Sequence, residues 1–375
     1  MKWKNHLVYS MRCLKVYMKV SIGTNIKEGP WGGGNLFAIN FSNYLIEKGY
    51  KVVNSLEDND IDAILLTEPR RTSESSAFTH IDILKYQQFI NKNVVVVHRI
   101  NECDERKNTN FVNQYLIEAN SAADATVFVS SWLKKLFIKN GIKNKNLNVI
   151  LSGANGKIFN PKNKAKLKNG EKLKIVTHHW GANWYKGFDT YQELDGLLFK
   201  PEYKDKISFT YIGNIPKKFK FKNSKVIPPM SGKELADEIK KHHVYLTGSL
   251  NEPSGNHHIE GAQCGLPILF LDSGGMPEYC DDFGIKYNTH NFEEKLNDMI
   301  KNYKTYEKKM KSYPFNSEIM CSEYENLFLK LYSSKEKLSK NRQSPTIINI
   351  FEKYIYLISR KLKFYWKTYK PAIFK

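Results

Sequence analysis

Cysteine is scarce in this chain of 375 residues: Cys13, Cys103, Cys264, Cys280 and Cys321 are odd in number, widely scattered and form no CxxC pair. That excludes a disulfide framework and a paired-cysteine zinc module, and it suits a reducing cytoplasm. No run of eighteen apolar residues occurs, so no ordinary transmembrane helix is expected. The first seventeen residues do not read as a secretory signal either, because Lys2, Lys4, Arg12 and Lys15 interrupt any apolar stretch there. Acidic residues are few beside basic ones, 38 against 58, which leaves a net charge of +20. Such a surplus suits polyanionic partners: nucleic acid, anionic lipid or phosphorylated small molecules. Apolar residues are not lacking. A hydrophobic share of 41% supports packed cores and excludes global disorder, and the length fits two ordinary domains.

The basic surplus is uneven. Leu331 to Lys375 holds eleven Lys and Arg against two Glu, nearly half of the excess. Elsewhere the lysines fall mostly on polar helix faces, as on any solvated surface. From Met18 onward, short β-branched runs alternate with amphipathic stretches. Lys19–Thr24, Asp62–Leu66, Val94–Val97, Ala125–Val129 and Leu147–Leu151 read as strands. Leu36–Lys48, Ile81–Ile90, Val112–Ala122 and Ser131–Lys139 read as helices. Lys162–Lys172 is Lys- and Asn-rich without apolar periodicity, a linker. The alternation restarts with strands at Leu173–Thr177, Ile207–Ile212, Val244–Thr247 and Pro267–Leu271, and helices at Lys233–Lys241 and His257–Cys264. Alternation of this kind predicts parallel sheets covered by helices. Two Rossmann-like halves would leave a cleft at the carboxyl ends of both sheets, where α/β ligands bind.

Two motifs carry chemistry. Gly29-Pro-Trp-Gly-Gly-Gly-Asn35 lies between the first strand and the first helix. Its glycines let backbone approach a ligand closely, and the helix behind it aims N–H groups and its dipole at the loop. It is neither a Walker A loop nor GxGxxG. The second motif is Glu252-Pro-Ser-Gly-Asn-His-His-Ile-Glu260, continuing Gly-Ala-Gln-Cys-Gly-Leu-Pro-Ile-Leu269. Gly255 and Asn256 would open a helix whose N–H groups, with that of His257, could meet phosphate oxygens, while Glu260 points one turn in toward a sugar hydroxyl pair.

Here the chain resembles the retaining glycosyltransferases of the GT-B fold, the family-4-like group. The E-x7-E element, the trailing glycine and proline, the N-terminal glycine loop, Leu151-Ser-Gly-Ala-Asn155 with Phe159 and Pro161, and Lys186-Gly-Phe-Asp189 all match, in order, from Met18 to Tyr332. The resemblance implies two Rossmann-like domains: 18–165 for the acceptor and 166–312 for a nucleotide sugar. A leader over 1–17 would precede them. A helix at 313–334 would cross back to the first domain, and a basic amphipathic tail would fill 335–375. It implies transfer of a sugar, of the hexosyl type, from a nucleotide-diphosphate sugar to a glycan or lipid-linked acceptor with retention. The setting would be polysaccharide or lipopolysaccharide synthesis in the cytoplasm or at the inner membrane face, with no cofactor, metal or nucleic acid.

Residue by residue, the resemblance places Glu260 on the ribose, Glu252 on the transferred sugar and Lys186 on the diphosphate. Gly33, Gly34 and Asn35 would face phosphates or acceptor, Gly255, Asn256 and His257 the nucleotide sugar, and His98 the donor sugar. His98, Lys186 and Glu252 are the catalytic candidates. The family's Arg five residues before the Lys is Gly181 here. His178, His179 or Asn183 could replace it, or Arg99 could reach in. His98 also opens a polar run to Arg106 that could wall the acceptor side, with Asp104 among its contacts. Two rivals stand beside this reading. A sugar-nucleotide epimerase of the same fold would use Glu102, Asp104 and His98 as acid and base. A basic nucleic-acid-binding protein would rest on Tyr365-Trp-Lys-Thr-Tyr-Lys370. From Ile347 the tail reads as a basic helix with an apolar stripe, the composition of an interfacial membrane segment.

Overall fold

The structure, a computed structural model, describes residues 17–27, 29, 31–340, 342 and 350–362. Residues 1–16 of the expected leader lie outside the described residues, as do 363–375 with the aromatic-basic stretch at the chain end.

The first half runs β1 (Lys19–Ile22), α1 (Gly33–Glu47), β2 (Lys51–Val53), β3 (Ala63–Leu66), α2 (His80–Phe89) and β4 (Val95–Ile100). It continues through α3 (Asp104–Lys107), α4 (Val112–Ala119), β5 (Ala125–Phe128), α5 (Ser131–Lys139) and β6 (Leu147–Val149). The second half holds β7 (Leu173–His179), α6 (Phe188–Leu197), α7 (Pro201–Lys204), β8 (Ile207–Gly213), β9 (Lys225–Ile227) and α8 (Gly232–Ile239). Then come β10 (Val244–Thr247), α9 (Asn256–Gln263), β11 (Ile268–Leu271), α10 (Pro277–Cys280), β12 (Gly284–Tyr287) and α11 (Phe292–Lys309). Helices α12 (Ser317–Tyr332) and α13 (Lys335–Lys340) follow, and a further helix spans 350–362.

Each half builds a six-stranded sheet, β2-β1-β3-β4-β5-β6 and β12-β11-β10-β7-β8-β9. All of their pairings are parallel. Parallel strands need helical crossovers that cover both faces, which is why β4 buries all six of its residues. Side chains alternate across it: Val95 and Val97 join one cluster with Phe37 and Phe41 of α1, Val94 and Val96 another with Ile83 and Tyr86 of α2. Helix α12 completes the first of these clusters. Its Met320, Tyr324 and Phe328 pack against Phe37 and Phe41, with the Tyr324 ring 5.2 and 5.5 Å from the two phenylalanines. Glu325 on the same helix accepts from the hydroxyls of Tyr44 and Tyr50 at 2.7 and 2.8 Å.

Residues with chemical potential stand where strands end and helices begin: α1 after β1, α3 after β4 and α9 after β10. In α9, Gly261 lies directly on the β10 residue Tyr245, so a Cβ there would stand 2.1 Å from the ring. Gly261→Ala is expected to push α9 off the sheet and lower stability by about 1–3 kcal/mol, the usual range for overpacking. Urea or thermal unfolding of the variant measures it, and an unchanged midpoint would show that α9 does not depend on this approach.

Candidate functional site

A cleft of about 820 Å³ lies between the carboxyl ends of the two sheets. Its walls include Gly32, Gly33, Gly34 and Asn35 from the first half and Gly255, Asn256, His257 and Glu260 from the second. Two helix N-termini meet across it, since a Cβ on Gly33 would lie 3.1 Å from the Asn256 amide. Neither α1 nor α9 has an acidic residue in its first turn or a side-chain cap. Both leave their positive ends open to the cleft. Gly255, at φ 75°, takes the left-handed turn that aims α9. The Asn35 side chain is engaged within its own half. Its Oδ1 accepts from Lys27 N at 2.9 Å and its Nδ2 donates to Lys27 O at 2.8 Å, which pins the glycine-rich loop to α1.

The two glutamates of the E-x7-E element are both engaged. Glu252 Oε2 accepts from Arg106 Nε at 3.0 Å and from Lys186 Nζ at 3.2 Å. Burial alone would raise this carboxyl, but Lys186 and Arg106 hold it down at about 2. Lys186 is itself lowered, because desolvation, with Arg106 nearby, outweighs the pull of Glu252. Glu260 Oε2 accepts from His178 Nε2 at 2.8 Å, and His178 Nδ1 in turn accepts from the Tyr245 hydroxyl at 3.0 Å. This chain sets the tautomer of His178 and the direction of the Glu260 carboxylate. Asn183 accepts from Tyr185 N at 2.8 Å, a cap on the turn that carries Lys186.

Other expected residues sit differently. His98 falls on the α2 side of β4, where its Nδ1 accepts from Asn120 at 3.1 Å and its ring does not line the cleft. Complete burial pushes it down to about 3, so it is neutral. The parity of the strand explains the difference: the neighbouring Arg99 faces the other way, reaches the cleft and stands 4.1 Å over the Phe37 ring. Asp104 does not line the cleft either. Its carboxylate accepts from Thr109 and from the backbone N–H groups of Phe111, Val112 and Asn113, all within 3.0 Å, closing the turn before α4. Glu102 pairs with Arg70 and Lys107. The acid and base residues of an epimerase reading are thus buried or tied up.

His179 and His257 do line the cleft, with ring centroids 4.5 Å apart. Burial, with the nearby cations, holds both well below the ordinary histidine value. His179 shares a hydrogen bond of 2.7 Å with the Tyr191 hydroxyl and His257 one of 2.8 Å with Thr247. As neutral rings they supply no positive charge in place of the arginine absent at Gly181. No group of three His, Cys, Asp or Glu suited to a metal ion is found among the described residues. Sequence reasoning missed Arg106, although the polar run ending there marked its neighbourhood, and it missed Trp31 and Trp180, half-exposed at the cleft wall.

Two facing parallel sheets with a cleft at their carboxyl ends define an α/β protein of the GT-B type. Residues 199–313, which include both glutamates, match the family model described as glycosyl transferases group 1. Among solved structures, the catalytic domain of starch synthase IV from Arabidopsis thaliana bound to ADP and acarbose superposes with a TM-score of 0.64 at 11% identity, over 84% of this chain and 99% of that one. Sucrose-phosphate synthase from Thermosynechococcus elongatus gives 0.58 at 12%, over 84% and 100%. Anabaena HepE in complex with UDP and glucose gives 0.56 at 13%, over 86% and 100%. At these identities the likeness establishes the fold. Among curated proteins none matches the chain.

The charge on Glu252 has a pH consequence. Its folded value lies below the ordinary carboxylate value of 4.5, so the stabilisation it provides is complete above that pH and is lost as pH falls toward about 2. Glu252→Gln is expected to be less stable than the parent near neutrality, with the gap closing between about pH 4.5 and 2. Urea unfolding across that range checks this, and a gap independent of pH would mean that the carboxylate is not ionised in the fold.

Proposed function

We propose that the protein is a glycosyltransferase that moves a sugar, of the hexosyl type, from a nucleotide-diphosphate sugar to a glycan or lipid-linked acceptor with retention. The observation that carries this reading is the cleft itself. Two open helix N-termini, Lys186 and a carboxylate pair converge where the two sheets end. Cleavage of a nucleotide-sugar bond develops positive charge on the sugar and negative charge on the departing diphosphate. Fixed N–H groups and Lys186 would stabilise that negative charge as it grows. Glu260, held by His178, would accept from the ribose hydroxyls, and Glu252 would hold hydroxyls of the transferred sugar. Neither carboxylate is free of partners, which supports a same-face displacement in which a leaving phosphate oxygen takes the acceptor proton. The ADP, UDP and glucose named with the similar structures support a nucleotide-sugar donor.

Donor identity is tested by thermal shift with UDP-, GDP- and ADP-sugars. Glu260→Ala is expected to weaken binding of the donor that scores by about tenfold or more, the usual loss for one charged hydrogen-bond partner. Lys186→Ala is expected to lower kcat more than donor affinity. Calorimetry and steady-state kinetics measure both, and unchanged donor affinity in Glu260→Ala would remove that residue from the site.

We infer further that the enzyme works at an anionic membrane surface, in keeping with a lipid-linked acceptor. No helix among the described residues is long and apolar enough to cross a membrane. The helix at 350–362 docks on the first half through Tyr356, 5.8 Å from the Phe89 ring, and Arg360, which donates to Asn59 at 3.2 Å. Its other side exposes Phe351, Ile355, Ile358 and Leu362, each more than half accessible. Exposed apolar residues with Lys361 beside them are the composition of an interfacial helix. Replacing Phe351, Ile355 and Ile358 together by Ser leaves the docking residues in place. The triple variant is expected to lose co-sedimentation with phosphatidylglycerol vesicles at low salt, and equal binding by parent and variant would exclude this helix as the contact.

A further inference from the structure

We propose that Arg106 is the second cation of the leaving-group site, delivered across the cleft from the half opposite Lys186. The proposal rests on the donor reading above and adds a residue to it. Arg106 and Lys186 converge on one oxygen of Glu252, at 3.0 and 3.2 Å. Two positive charges around one carboxylate leave an excess of positive charge, and the open N-terminus of α9 lies beside them. An anion is what this arrangement lacks. Arg106 is 8% exposed and lines the cleft. Only its Nε is bonded, so both Nη groups are without a hydrogen bond from the described residues and are available to phosphate oxygens. The guanidinium fork suits a bidentate contact with a phosphoryl group.

The other candidates serve less well. His179 and His257 are neutral, Lys107 is paired with Glu102, and Asn183 caps its own turn. Position 181 is open. A Cβ on Gly181 would meet only Lys186 Cε, at 3.9 Å, so the position lies beside this lysine on the cleft wall. Without donor, Glu252 holds the two cations in place. When a diphosphate enters, its oxygens share Arg106 and Lys186 with Glu252, and the site is complete only while both halves contribute.

The test compares nucleoside diphosphate with monophosphate, since a contact to the leaving phosphate affects only the first. UDP and UMP, GDP and GMP, and ADP and AMP are titrated by calorimetry against the full chain. The parent is expected to prefer one diphosphate over its monophosphate. Arg106→Ala is expected to weaken the diphosphate by about tenfold or more while leaving the monophosphate unchanged. Arg106→Lys keeps the charge beside Glu252 and guards against a folding defect; it should retain part of the preference. Adding Gly181→Arg to Arg106→Ala is expected to restore it. Equal loss for both nucleotides would overturn the proposal and leave Arg106 a brace of the cleft. A preference lost in Arg99→Ala but kept in Arg106→Ala would overturn it too. If the parent binds no nucleotide, the donor reading fails instead.

Discussion

A carboxylate taken out of water must be met by positive charge, and the Glu252 side chain is met from two sides. Lys186 approaches from its own half and Arg106 from the other, so one buried anion in the loop after β10 ties α3 to the turn before α6. Breaking a buried pair by removing one partner is far more costly than the pair is worth in isolation. The contact is thus one of those that hold the two halves in register across the cleft. Companion contacts are polar as well: Glu278 accepts from Ser131 N and Trp132 N at 2.9 Å, and Asn251 donates to Glu105 O at 3.2 Å.

The same cleft shows how burial sorts titratable groups. Histidines crowd the end of the second sheet, yet desolvation keeps His179, His257 and His258 uncharged. Positive charge at the cleft wall rests on Arg106 and Lys186 beside Glu252, on Arg99 over the Phe37 ring, and on the two open helix ends. The ring cluster itself adds none.

Much of the fold was legible in the residues. Runs such as Val94–Val97 are read as buried strands because parallel sheets hide both faces. The strands that escaped notice, β2, β9 and β12, all lie at sheet edges. Edge strands are short and partly exposed, so Lys51–Val53 and Lys225–Ile227 carry too little apolar pattern to stand out. Helix α6 was hidden by its glycine and its aspartates, and Asp195 is in fact spent binding the backbone of Lys222, Asn223 and Ser224. In the site, the E-x7-E spacing and the glycine loop marked the right wall. What spacing cannot show is which side of a strand a residue faces or what crosses from a distant segment. His98 and Arg99 are neighbours with opposite destinations, and Arg106 meets Glu252 across 146 positions of chain.

The packing of α12 bears on how the protein is made. Its Met320, Tyr324, Leu327 and Phe328 close the apolar face formed by β1, β3 and α1, yet they are synthesised long after that face has left the ribosome. At ~5–20 residues per second, roughly 10–30 s separate the end of β6 from the arrival of α12. Through that interval Phe37 and Phe41 have no permanent cover. The nascent first half thus keeps an aromatic face without its final cover until α12 has emerged.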